Sequence, residues 1–110
     1  MFLALFAAGC RSAGPAEEAL VQARLGTEAT RAGLYREAYF RFERAVALDP
    51  GNARFLNDLA ILSEALGRFE EAAAHYAHAL ELAPADKRIR ENYEKLQAYL
   101  APDRPPDPAR

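Results

Sequence analysis

The sequence predicts an all-α chain built from repeated helical hairpins, and three observations carry that prediction. Ala, Leu, Glu and Arg dominate the 110 residues while β-branched residues are scarce, so helix is favoured along the whole chain. Residues recur at a fixed stride of 34: Gly33 as Gly67, Tyr35 as Phe69, Glu37-Ala38 as Glu71-Ala72, Phe42 as Tyr76, Ala45 as Ala79, Leu48 as Leu82 and Pro50 as Pro84. Gly and Pro fall at the same phase of both copies, where they would end helices.

The elements follow in order. A first helix is predicted from Pro15 to Ala32, with Pro15 suited to the first position and Glu17 and Glu18 favourable beside the helix N-terminus. Further helices are predicted over Tyr35–Leu48, Ala53–Leu66 and Phe69–Leu82. Gly33 and Gly67 separate partners within hairpins by left-handed turns, and Pro50 and Pro84 stop the second helix of each pair. A fifth helix runs over Lys87–Leu100 with Asp86 as its N-cap. Its stripe Ile89, Tyr93, Leu96 and Leu100 should face the stack, leaving the charged residues outward as on a capping helix. Small residues at Gly26, Ala38, Ala45, Ala60, Ala72 and Ala79 let helices approach, and Phe42 and Tyr76 fill the space between hairpins. Residues 101–110 contain four prolines and read as an extended or disordered tail.

Composition excludes several classes. The apolar share of 51% and charged share of 27% suit one folded domain. A net charge of −2 supplies no basic field for nucleic acid. The single cysteine, Cys10, makes neither an internal disulfide nor a multi-cysteine zinc site. No apolar run approaches the roughly 20 residues that span a bilayer.

The 34-residue stride, with Leu59, Ala60, Gly67, Phe69, Ala72, Tyr76, Ala79 and Pro84 in their places, resembles the tetratricopeptide-repeat (TPR) family. The resemblance covers residues 19 to about 100, with repeats near 19–52 and 53–86. Ser63 departs from it, since an aromatic is usual there. The first copy is weaker: Gln22 replaces a large residue and Ala29 an aromatic. The fold implied is a right-handed α-solenoid of about two hairpins plus the helix 87–100.

That resemblance also implies a concave groove for a protein or peptide, lined by the first helix of each hairpin. The residues expected there are Arg24, Thr27 and Arg31, then Arg54, Asn57, Asp58, Ile61 and Glu64, then Arg88, Glu91, Asn92 and Lys95. Relatives that grip a C-terminal carboxylate use two Lys, two Asn and an Arg. The matching positions hold Ala23, Thr27, Asp58, Arg88 and Asn92, so that clamp is absent. Asp58 also stands where many relatives carry an Asn that holds a peptide backbone. Asn57, next to it, points about 100° away.

Residues 1–9 are wholly apolar and end at Cys10, as in a signal segment. Ala7-Ala8-Gly9-Cys10 resembles the lipobox of bacterial lipoproteins, which implies cleavage before Cys10 and its lipidation. Arg11 after the cysteine favours the outer membrane by the same resemblance. No Lys or Arg precedes the run, which implies a start codon upstream. The alternative is a chance tetrapeptide in a truncated, unanchored cytoplasmic chain. In the anchored case, residues 11–14 reach at most about 14 Å, so the stack would lie against lipid.

No constellation of residues supports catalysis or a cofactor. His75 and His78 lie three apart but are expected to face outward, short of the ligands a metal needs. Ser63 has no basic partner at a telling spacing. Two readings remain: a membrane-anchored adaptor or assembly factor facing the periplasm, and a soluble self-associating module, because two and a half repeats are few for stability alone.

Overall fold

The computed structural model describes residues 13–103. The signal-like segment 1–9, Cys10 with its proposed lipid, and tail residues 104–110 lie outside the described residues. Five helices follow in order: α1 (Pro15–Arg31), α2 (Tyr35–Leu48), α3 (Ala53–Ala65), α4 (Phe69–Leu82) and α5 (Lys87–Leu100). Each packs on the next in the chain, as antiparallel hairpins that stack into an all-α repeat solenoid. The predicted boundaries agree to within one residue.

The turns inside the hairpins are set by glycine. Gly33 (φ 74°) and Gly67 (φ 75°) are left-handed, where a Cβ would be strained. Around Gly33, the Leu34 amide donates to Ala29 O at 2.9 Å and the Gly33 amide to Thr30 O at 3.0 Å. Arg68 to Ser63 O at 2.8 Å and Gly67 to Glu64 O at 2.9 Å repeat the pattern. These are Schellman endings, which satisfy carbonyls that a helix end would strand. The turns between hairpins are set by proline and a polar cap. Asn52 Oδ1 accepts from the Arg54 and Phe55 amides at 3.1 and 3.3 Å, and Asp86 Oδ1 from the Ile89 amide at 3.1 Å.

The core runs along the stack as a file of small residues wedged by rings. Ala38, Ala45, Ala60, Ala72 and Ala79 are fully buried. Phe42 packs with Ala29, Ala38, Leu59 and Leu62, tying α2 to both α1 and α3. Tyr76 packs with Leu56, Ala60, Ile89 and Leu96 and lies 6.2 Å from the Tyr93 ring. Its hydroxyl donates to Glu64 Oε2 at 2.5 Å, so burial and that carboxylate push its pKa well up.

Two outward faces differ from expectation. His75 is half-buried, with Nε2 enclosed, unpartnered and 4.0 Å from Glu71 Oε1. The reason is a second contact of α4. The Tyr39 hydroxyl on α2 donates to Glu71 at 2.6 Å, and the Arg68 guanidinium lies 4.7 Å from the centre of the Tyr39 ring. Burial lowers the His75 pKa, and burial with Glu71 pushes Tyr39 up to about 12. His78 is exposed as expected. On α5, Leu100 is 39% exposed rather than part of the buried stripe. Tyr99 takes the last contact with α4, its ring 5.2 Å from Phe69, and Leu100 points about 100° further round the helix.

α1 and α2 approach closely at Gly26. A Cβ there would sit 2.7 Å from Cδ2 and Cε2 of the Phe42 ring. Gly26→Ala gains up to about 1 kcal/mol of helix propensity but forces a ring that has nowhere to go, at about 1–3 kcal/mol. The net expectation is a loss of about 1 kcal/mol, read as a Tm lower by about 4–8 °C. Adding Phe42→Leu should recover part of that loss, and a double-mutant cycle on denaturant midpoints checks it. A Gly26→Ala variant as stable as the parent would contradict the close approach.

Candidate functional site

The odd-numbered helices carry the open side of the stack. A hollow of about 290 Å³ there is lined by Thr27, Thr30 and Arg31 of α1, Arg54, Asp58, Ile61 and Leu62 of α3, Arg88 of α5 and the edge of Phe42. A second depression shares Arg54 and Arg88 and adds Asn57, Asp86 and Ile89. The stride explains the convergence: positions 20, 54 and 88 are equivalent, as are 27, 61 and 95.

Of the residues expected in the groove, Thr27, Arg31, Arg54, Asp58, Ile61 and Arg88 share the main hollow. Asn57 is 2% exposed, and its Oδ1 accepts from Asn92 Nδ2 at 3.1 Å, so these two amides tie α3 to α5. Glu64 is held by the Tyr76 hydroxyl. Glu91 lies 3.8 Å from Lys87 on the exposed face of α5. Arg24 and Lys95 are exposed and line neither depression. Sequence reasoning missed Thr30, Leu62 and the Phe42 edge. Leu20, 62% exposed, stands at the position equivalent to Arg54 and Arg88 but lines neither depression. A single helical turn from Thr27 would have found Thr30.

The site's polar groups fall into two kinds. The Thr27 and Thr30 hydroxyls donate to Ala23 O and Gly26 O at 3.0 and 2.8 Å, so their hydrogens are spent inside α1. The guanidinium groups are free: among the described residues no carboxylate lies within ion-pair distance of Arg24, Arg31, Arg54 or Arg88. Asp58 is the one carboxylate in the main hollow. Burial pushes its pKa up, while Arg54, Arg88 and the Asn57 amide pull it down.

That upward shift has a sign for stability. A carboxyl that holds its proton more tightly when folded favours the fold in acid. The contribution is greatest below the unfolded value of 3.8 and is lost as pH rises through the raised folded value. Asp58→Asn should therefore be at least as stable as the parent at neutral pH. It should also flatten the Tm-against-pH curve just above pH 4, as thermal melts from pH 3 to 7 would show. A variant that melts lower than the parent at neutral pH would reverse this assignment.

Comparison with known proteins agrees with the repeat fold. Residues 29–98 match the Tetratricopeptide repeat family. The chain is 32% identical over 71 residues to the protein O-mannosyl-transferase TMTC1 of Mus musculus, covering 64% of this chain and 8% of that protein. It is 30% identical over 77 residues to the inactive TPR repeat-containing thioredoxin TTL3 of Arabidopsis thaliana, covering 70% and 11%. The chain thus spans about a tenth of the length of these relatives. The stride, the stacked hairpins and the family match together place this chain in the tetratricopeptide-repeat family.

Proposed function

We infer that this chain is a protein-binding module that holds a segment of its partner in the groove of α1, α3 and α5, and that it catalyses no reaction. One observation carries this reading. Three helices from successive repeats converge on one open hollow whose arginines form no ion pair among the described residues. Free cations beside apolar side chains are what a docking surface offers and what a merely solvated face has no reason to gather.

We further propose that the module acts at a membrane surface as an adaptor or assembly factor of a bacterial cell envelope, tethered through a lipidated Cys10 and facing the periplasm. The apolar segment ending in Ala7-Ala8-Gly9-Cys10 supports it. No helix among the described residues is long and apolar enough to cross a membrane, so a tether would have to come from elsewhere in the chain. One experiment reads both parts: crosslinking in the source cells, recovery from the membrane fraction, and mass spectrometry of the chain and its captured partners. The expected chain begins at an acylated Cys10, and its partner is lost with Arg54→Glu and Arg88→Glu. A chain retaining Met1 with a free Cys10 thiol would end the anchoring proposal, and partners retained by both variants would end the groove assignment.

A second reading, a soluble module that pairs with its own copy, rests on the C-terminal edge of the stack. Tyr99 is 57% exposed and Leu100 39%. Sedimentation of the whole chain in mild detergent should then show a dimer that Tyr99→Glu dissociates. A monomer at all concentrations removes this reading.

A further inference from the structure

The geometry points to an acidic segment as the partner: Asp or Glu side chains flanking an aliphatic residue, within a chain rather than at its C-terminus. This rests on the groove reading above and names the chemistry the groove takes.

Charge decides it. The whole chain carries 14 Lys and Arg against 16 Asp and Glu, so a random patch of its surface would be slightly acidic. The hollow instead gathers Arg31, Arg54 and Arg88 against Asp58 alone. It is locally basic in an acidic protein, and among the described residues none of the three arginines lies within ion-pair distance of a carboxylate. Guanidinium groups from three different helices bind carboxylates in pairs of parallel hydrogen bonds. The threonines add no donors, because their hydroxyl hydrogens stay within α1.

Apolar groups supply the rest. Ile61 is 39% exposed and lies in the hollow with Leu62 and the Phe42 edge. Leu20 extends the same register toward the N-terminus of α1. Ile61 shares the hollow with Arg31, Arg54 and Arg88, so an aliphatic side chain laid on it brings its flanking carboxylates beside arginines. Nucleic acid is disfavoured, since the chain is acidic overall and no ring lies flat and exposed in the hollow to stack a base.

The test uses the full chain and three end-blocked twelve-residue peptides with a central Leu-Leu pair. Asp and Glu flank the pair in the first, Asn and Gln in the second, and Lys in the third. Titration calorimetry reads affinity, and amide resonances of Thr27, Arg54 and Ile61 report where each peptide sits. The acidic peptide should bind at least tenfold tighter than its amide counterpart and lose affinity as salt rises. Arg54→Gln and Arg88→Gln should each weaken it about tenfold, while Asp58→Asn should tighten it. Equal or better binding of the amide or Lys peptide would overturn the inference, as would failure of the acidic peptide to bind at millimolar concentration. If the amide peptide wins yet shifts the groove resonances, the groove reading survives and only the acidic preference falls. If no peptide moves those resonances, both are lost.

Discussion

Everything in this structure depends on how closely neighbouring helices can approach. Two helices meet at a small distance only where their facing side chains are small, and here the facing positions are Gly26, Ala38, Ala45, Ala60, Ala72 and Ala79. Close approach leaves no room for a second layer of large side chains within a hairpin, so the large ones lodge between hairpins. Phe42 and Tyr76 do this, each touching three helices' worth of neighbours. The ring then dictates the offset between successive hairpins. That offset turns the odd-numbered helices toward one side and opens the hollow. The site is thus a by-product of core packing, built on regular helices rather than on loops, which holds its side chains at fixed spacing.

Departures from the repeat pattern become buried polar groups that are hydrogen-bonded. Gln22 stands where a large apolar residue is usual. It is 6% exposed, donates to Glu18 at 2.9 Å and accepts from Arg41 at 3.2 Å, so it links α1 to α2. Ser63 stands where an aromatic is usual, fully buried, with its hydroxyl satisfied by Leu59 O at 2.9 Å. In both cases a buried polar group costs little because it is hydrogen-bonded. The weaker first copy thus gains a polar tie between its own two helices, as the second has in the Tyr76–Glu64 hydrogen bond.

The architecture was legible because it follows from local chemistry repeated in register. Glycines that must be left-handed, prolines that cannot continue a helix and alanines at helical spacing each act within a few residues, and the 34-residue stride then repeats the result. The groove was only half legible. Arg54, Arg88, Arg31, Asp58, Ile61 and Thr27 were placed by register. The fates of Asn57, Asn92 and Glu64 depend on which polar group across the interface reaches which, and that needs three-dimensional distances. His75 was misjudged for a related reason. A single helix's periodicity shows one buried face, whereas α4 is covered from two sides, and Tyr39 lies 32 residues away from its partner Glu71.

The two clusters of charge show why the position of a charge in the stack matters more than its sign. Between α2 and α4, Arg68, Glu71, Tyr39 and His75 largely answer one another: a cation over a ring, a hydroxyl on a carboxylate, an ion pair at 3.8 Å. Such a surface gains little from a partner, since Arg68, Glu71 and Tyr39 already have their counterparts and would have to surrender them; only the enclosed His75 Nε2 has none. In the hollow, Arg31, Arg54 and Arg88 outnumber the one acid that lines it, Asp58. Keeping three cations near one another costs the isolated protein some electrostatic repulsion, which water and salt screen while the site is open. When a partner excludes that water, the same spacing turns from a modest cost into a strong demand for negative charge. The fold tolerates the arrangement because its stability lies elsewhere, in the alanine file and the two rings.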